Sequence, residues 1–461
     1  MRIRARLVGR VGCPRPSTST KTAASTTRRT TSTSTGRTRE RLSRPCRPKR
    51  RQPPDRPAAP APPNRPERAT ADFGASRAAA GGSVELSSRC DPTPSCEDSV
   101  FVAWRQILNR RSTSVTYKVI QWTTGFVGRE AVKGILAHPE LELVGAYAWS
   151  PEKDGQDVGE LCGIGRLGIP ATNDIDALLA LGADCVCYTP HQLAGIDDVC
   201  RLLEGGLNVV SSNLTNLRSA GKAARERVEA AAHAGGASLF GSGIFPGFAN
   251  YLAANMAAVS RNFRRVRFLE SVDLSTYHAI RNYQNLGWGQ RPDPKWERTS
   301  REVLGFYDEC LDVMAAMLKV PISERRCSLE WAITPEDREF FGFEMKAGTI
   351  AGQKTTWQAF AAGQDAAVLE LDVCWVAGKG LEPEWPIHHG YTMKVDGDPN
   401  VQTRVTFSPQ TAERVEDYID MSNTVTSMPL VVAIPTVCEA APGIRTYADL
   451  PLITGHYVPN L

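Results

Sequence analysis

From residue 116 to about 260 the chain repeats one pattern: a short apolar run, a glycine or polar break, then apolar residues spaced three and four apart. "YKVIQWT" predicts a strand, and "VGREAVKGILAHP" predicts a helix that stops at Pro139. "LELVGAYAW" is a second strand, and "NDIDALLALG" a helix with Asn173 or Asp174 near its cap. "ADCVCYTP", "IDDVCRLLEGG", "LNVVSSN", "SAGKAARERVEAAAHAGG" and "ASLFGSG" continue as strand, helix, strand, helix, strand. Strands alternating with helices predict a parallel sheet joined by right-handed crossovers.

The period changes near residue 260. "RRVRFLESVDLSTY" reads as a strand and "REVLGFYDECLDVMAAMLKV" as a helical stretch. "CSLEWAIT", "FFGFEMKAGTIAG", "KTTWQAFAAG", "AAVLELDVCWVAG", "YTMKVDG" and "QTRVTFS" predict a mostly antiparallel sheet. "SNTVTSMPLVVAIPTVCEA" is helix-like despite Pro429 and Pro435 and is expected to pack back on the first domain.

Charge divides the chain differently. Residues 1–114 hold 24 Lys and Arg against 8 Asp and Glu, a net of +16, so the overall +4 conceals −12 over the remainder. That first stretch is Thr/Ser/Arg-rich, then Pro-rich, and too poor in apolar residues to offset its chain entropy. It is expected to be a disordered basic tail. Three readings stay open: a basic arm for nucleic acid or acidic surfaces, a transit peptide, or a stretch upstream of a native start at Val115. The expected organisation is the tail over 1–114, a nucleotide-binding domain over 115–258, an α+β substrate and oligomerisation domain over 259–421, and a returning segment over 422–461.

The eight cysteines after residue 115 contain no C-x-x-C pair, which predicts no disulfide or zinc framework and a reducing, cytoplasmic setting. The absence of a run of about 18 uncharged apolar residues predicts no membrane span. No nucleic acid is expected for the folded part, and no metal is assigned, since His388 and His389 lack a third ligand in the sequence.

The candidate chemistry starts at "VIQWTTGFVGREAV". A Gly-x-Gly-x-x-Gly fingerprint places its second glycine against a pyrophosphate and its third at the helix–strand contact, here Gly125 and Gly128. The first glycine is replaced by Thr123, expected to hold extended backbone with a hydroxyl available to a phosphate. Thr123, Thr124, Gly125, Phe126, Val127 and Gly128 are therefore the expected phosphate loop, against the alternative of an ordinary strand–helix turn. No acid ends the second strand; Ser150 and Lys153 stand there and suit a 2′-phosphate, which favours NADP over NAD, although Glu152 and Asp154 can still reach a ribose. Tyr188, Thr189 and Pro190 follow the next strand, where the nicotinamide ribose should pass, with His191 a polar candidate for catalysis. "GSGIFPGFAN" is glycine-rich and suits close backbone approach to a ligand.

Together with "HPELELVGAYAWSPEKDGQDVGELCG", "ESVDLSTY" and "AIPTVCEAAPGI", these stretches resemble the dihydrodipicolinate reductase-like superfamily, in particular its 2,4-diaminopentanoate dehydrogenase-like branch. The resemblance covers about residues 116–461. It implies an N-terminal Rossmann parallel sheet, a C-terminal α+β domain, hydride transfer between NAD(P)H and an amine or imine carbon of a small-molecule substrate, and a homo-oligomer. Reductases of lysine biosynthesis carry a His-His pair and a lysine where this chain reads "ESVDLSTYHAIRNYQ", so that role is not expected. Glu270, Asp273, Tyr277 and His278 remain there as candidates to bind an amine or move a proton, with a structural strand end as the alternative. A nucleotide-binding sensor or assembly protein without turnover is the competing function.

Overall fold

The computed structural model describes residues 116–190, 195–277 and 280–456. The first six strands are β1 (Tyr117–Trp122), β2 (Leu141–Tyr147), β3 (Ala171–Thr172), β4 (Cys185–Tyr188), β5 (Asn208–Ser211) and β6 (Ser238–Gly241). The helices among them are α1 (Phe126–Ala137), α2 (Val158–Cys162), α3 (Ile175–Leu179), α4 (Ile196–Glu204) and α5 (Lys222–Gly235). Asp174, rather than Asn173, caps α3 by accepting from two backbone amides. β4 and β6 are buried at every residue, as strands covered on both faces require.

After α6 (Ala249–Asn255) the chain enters a six-stranded sheet of β7 (Phe263–Asp273), β8 (Ile322–Ile333), β11 (Ile350–Ala361), β12 (Leu369–Val376), β13 (Gly390–Gly397) and β14 (Val401–Val405). Its order is β14-β13-β7-β12-β11-β8, antiparallel except for the β7–β12 pair. A hairpin of β9 (Arg338–Phe340) and β10 (Phe343–Met345) sits apart from it. The single helical stretch expected after Arg301 is broken. α7 (Pro294–Val303) starts earlier, capped by Asp293 with Pro294 in its first turn, and a tight turn at Gly305–Asp308 precedes α8 (Glu309–Leu318). One face of the second sheet and α8 bury Val266, Phe268, Leu369, Leu371, Leu311 and Met314 in a common core.

α9 (Val415–Val431) continues through Pro429 and lies along α1, where Thr424 Oγ1 donates to Glu130 Oε2 at 3.1 Å. With α10 (Ile434–Cys438) it forms a stretch, Glu416–Cys438, long and apolar enough to cross a bilayer by length and composition. Here its Leu430, Val431 and Ile434 share a core with Val132 and Ile135 of α1. β15 (Gly443–Arg445) then joins the first sheet beside β6, completing a wholly parallel order β15-β6-β5-β4-β1-β2-β3.

Two features of the first sheet position the site. Trp122 stands opposite Tyr147 and Tyr188, Tyr188 opposite Ser211, and Ser211 opposite Gly241, so these strands end in line and their loops leave one edge. The strand order also reverses at β1, between β2 and β4, which opens a crevice at that edge. The loop after β5 is tied to the second sheet by Glu309 at the start of α8, whose buried carboxylate accepts from the amides of Asn216 (2.9 Å) and Ser219 (2.7 Å).

Candidate active site

Gln121 supports the turn after β1 from beneath. It is fully buried, and its Nε2 lies 3.2 Å from the Trp122 carbonyl, 3.0 Å from the Thr123 carbonyl and 2.8 Å from Thr189 Oγ1. Thr189 Oγ1 also donates to the Trp122 carbonyl at 3.2 Å. The ends of β1 and β4 are thus joined at the crevice by side-chain bonds.

Thr123 does not take the extended backbone expected of it. Its φ is +73°, in the region that favours glycine, and its hydroxyl donates to the Thr189 carbonyl at 3.1 Å. The hydroxyl therefore closes the turn. Left-handed backbone at a β-branched residue costs about 1–2 kcal/mol, and the hydrogen bond offsets about 1 kcal/mol of that. Thr123→Gly should accordingly change stability by less than about 1 kcal/mol and leave NADP(H) affinity within about threefold, read by thermal melting and fluorescence titration. A tenfold or larger loss of affinity would return the hydroxyl to a phosphate-binding role.

The two glycines differ in what surrounds them. A Cβ on Gly128 would lie 2.3 Å from the Thr123 carbonyl oxygen and 3.1 Å from Thr189 Oγ1, so only glycine lets α1 rest on the turn. A Cβ on Gly125 would meet nothing within 4 Å. Gly125 caps α1 with no side-chain hydrogen bond, and no acid lies in the helix's first turn. Free amides and open space at the positive end of a helix dipole fit a pyrophosphate.

Lys153, in the short helical turn Pro151–Lys153, brings its Nζ to 3.3 Å from Thr124 Oγ1. The cation therefore reaches the glycine turn from the end of β2. Ser150 is hydrogen-bonded to the carboxylate of Glu152. Phe126 and Trp149 are 70% and 80% exposed, two aromatic faces left open beside this turn.

The residues after β4 behave differently from expectation. The Tyr188 ring is buried 5.4 Å from Trp122, which stacks on Tyr147 at 4.0 Å, so its side chain belongs to the core and only its backbone faces the crevice edge. The Thr189 hydroxyl is engaged as described, and the Pro190 carbonyl accepts from Asn213 Nδ2 at 2.7 Å. His191 lies outside the described residues.

The glycine-rich loop after β6 does more than present backbone. Phe245 crosses to the second sheet, with its ring 4.4 Å from Phe268 and 4.9 Å from Tyr307. Tyr391 lies 5.2 Å from Phe268, and Tyr307 lies 6.1 Å from Trp375.

Glu270 projects from the middle of β7 into this aromatic enclosure, on the face shared with Phe268 two residues earlier. Tyr391 Oη donates to its Oε1 at 3.4 Å, and its Oε2 is buried with no hydrogen-bond partner. Burial pushes the carboxyl up to about 7, partly opposed by hydrogen bonds from Trp375 and Tyr391. Tyr283 and Tyr307 are raised by burial, and both feel the Glu270 charge.

Asp273, three residues on, is not free in the same way. Its Oδ1 accepts from the amides of Ser275 and Gly378, each at 2.9 Å, so it caps a turn and pins the loop after β12. Tyr277 is partly exposed at the end of that turn, and His278 lies outside the described residues. Sequence reasoning missed Gln121, Phe245, Tyr307 and Tyr391. The only signal for Gln121 was one amide between the apolar Ile120 and Trp122, and for the rings none beyond ordinary core alternation.

Residues 119–212 match the family described as dihydrodipicolinate reductase, N-terminus. The chain is 29% identical over 355 residues to the amine dehydrogenase of Streptomyces virginiae, spanning 72% of this chain and 96% of that one. It is 45% identical over 65 residues to the 4-hydroxy-tetrahydrodipicolinate reductase of Synechococcus elongatus, 14% of this chain and 24% of that one. The solved amine dehydrogenase from Mycobacterium smegmatis shares the fold, with a TM-score of 0.57 at 20% identity over 76% of this chain and 100% of that one. The family match falls on the glycine turn and the strands around it, while the similarity to the amine dehydrogenase extends across both sheets. These similarities support a dihydrodipicolinate reductase-like NAD(P)-binding superfamily for the chain.

Proposed function

We propose that the protein is an NAD(P)-dependent amine dehydrogenase, in which Glu270 receives the ammonium group of a small primary amine. The observation that carries this reading is a buried carboxylate with one oxygen unpartnered inside a wall of aromatic rings. An aromatic enclosure attracts an organic cation through the ring faces, and an ionised carboxylate within it orients the nitrogen. The same enclosure contains Phe245, from a loop at the carboxyl edge of the nucleotide sheet, which supports substrate chemistry beside the cofactor crevice.

The cofactor, when bound, accepts a hydride from the amine carbon. The amides of Phe126, Val127 and Gly128 and the space before Gly125 would hold its pyrophosphate, and Lys153 its 2′-phosphate. Glu270 takes the ammonium proton, so that the nitrogen lone pair is free as the carbon–hydrogen bond breaks. The carbon is oxidised to an iminium ion, and water then releases the carbonyl product and ammonium. The aromatic walls exclude other water from the reacting carbon.

The direct test is a panel of primary amines and diamines incubated with NADP+ or NAD+ and followed at the absorbance of the reduced cofactor. Reduction with at least one amine class supports the reading. Cofactor binding without reduction across the panel, or in reverse with carbonyls and ammonia, overturns it. Lys153→Glu should weaken NADP(H) at least about tenfold more than NAD(H), since it replaces a cation at the expected 2′-phosphate by an anion. An unchanged ratio of the two dissociation constants would remove Lys153 from cofactor selection.

A further inference from the structure

We infer that His138, Glu140 and His456 form a zinc site separate from both the glycine turn and the Glu270 enclosure. His138 is the C-cap of α1, and Glu140 follows two residues later, before β2. His456 comes from the segment after β15. One nitrogen from each histidine and one Glu140 oxygen lie within 4.8 Å of one another. Glu140 Oε2 and His456 Nε2 are 3.5 Å apart, near the roughly 3.3 Å ligand-to-ligand edge that bonds of about 2.0–2.1 Å give around a tetrahedral zinc.

A second observation points to a ligand. His138 is only 7% exposed, and its Nε2 is buried with no hydrogen-bond partner. A buried ring nitrogen without a partner is uncommon in a finished fold. The rings of His138 and His456 meet edge to face with centroids 4.1 Å apart, so both lie at one spot. Coordination through Nε2 places the remaining ring proton on Nδ1, so the 3.2 Å contact that Nδ1 accepts from the Glu140 amide must open on binding.

The ligand set selects the ion. Two imidazoles and one carboxylate suit zinc, with a fourth position left for water. Both histidines line a cavity of about 390 Å³ whose other walls include Ile244, Phe248, Phe407 and Met428. That cavity supplies room for the water, and most of its walls are apolar. A zinc ion here would fasten the segment after β15 to the start of β2.

The test uses the full chain without a histidine tag, stripped with chelator and then titrated with zinc chloride. One zinc per chain, a rise in melting temperature, and the visible absorption of a four-coordinate ion on cobalt substitution are expected. His456→Ala removes an exposed ligand on the segment after β15, and Glu140→Gln keeps the side chain's shape. Each should lose at least about tenfold in zinc affinity together with the thermal gain. A His388→Ala, His389→Ala double variant should bind as the parent does. The inference is overturned if the stripped parent takes up no zinc, or if His456→Ala binds zinc as tightly as the parent.

Discussion

Glu270→Gln should lower kcat/KM for amine oxidation by about 10²- to 10⁴-fold, the range typical of a lost acid–base group. Its cofactor affinity should stay within about twofold of the parent, because the glycine turn lies on the other sheet. The pH dependence adds a signature that a packing defect would not give. The carboxyl is raised to about 7 in the free protein, so kcat/KM should climb as pH rises through that value and the ionised form becomes available. A bound ammonium stabilises the ionised form, so the corresponding limb in kcat should move to lower pH. The variant should show neither limb.

Stability follows with the opposite sense. A folded-state value raised from 4.5 to about 7 means that the neutral carboxyl suits the free protein. The stability tied to that neutral form is fully present below about 4.5 and is lost as pH rises through about 7. Glutamine never ionises, so above pH 7 the variant should be at least as stable as the parent, by up to about 3 kcal/mol. A variant that melts earlier and loses activity in proportion would make Glu270 a structural residue. One that retains a tenth or more of the parent's kcat/KM would remove it from proton transfer.

Gly125→Asp should abolish measurable NADP(H) binding while leaving the fold intact. The space in front of Gly125 is empty of protein, so the new side chain meets no internal clash. A carboxylate at a helix N-terminus is favourable in the free protein, typically by 0.3–1 kcal/mol as a general magnitude. The same carboxylate occupies the pyrophosphate position and repels its charge. Fluorescence titration with NADPH should show at least about a hundredfold loss, since two like charges are forced together at the pyrophosphate position. The melting temperature of the free variant should equal or exceed that of the parent. Cofactor binding equal to the parent's would place the dinucleotide elsewhere. Gly128→Ala makes the contrast: its methyl would strike the Thr123 carbonyl, so its first effect is on the fold.

The sequence made the architecture readable where periodicity was long and clean. β1, β2, β4, β5 and β6 alternate with helices whose breaks fall at Pro139 and at glycines, and the parallel sheet followed from that, whereas α2 and the two-residue β3 lie in a stretch that reads as a loop. β15 has three residues after a proline and no periodicity of its own, so its place in the first sheet was decided by tertiary contact alone. The helix predicted after Arg301 was broken for a local reason, because Gly305 opens a tight turn that spacing does not announce. Within the site, Gly125 and Gly128 were legible because backbone geometry demands that residue type. Thr123 was misjudged because side-chain identity says little about the sign of φ in a turn closed by a distant carbonyl. Glu270 could be picked out as a polar residue among strand hydrophobics, yet its environment could not. The rings around it come from β7, β12, β13, the turn before α8 and the loop after β6, segments spread over more than a hundred residues.

The late arrival of β15 also bears on how the molecule assembles. Its partner β6 is finished by Gly241, but the residues that pair with it, Gly443 to Arg445, come about two hundred positions later. During synthesis the nucleotide sheet therefore carries an open edge until after the whole of the second sheet has been made. Unpaired parallel edges are templates for intermolecular pairing, and contacts of such sequence separation form slowly. Synthesis of Gly443–Arg445, rather than completion of α5 and β6, is then the event that closes the nucleotide sheet. Chains interrupted before Gly443 are the ones expected to aggregate through β6.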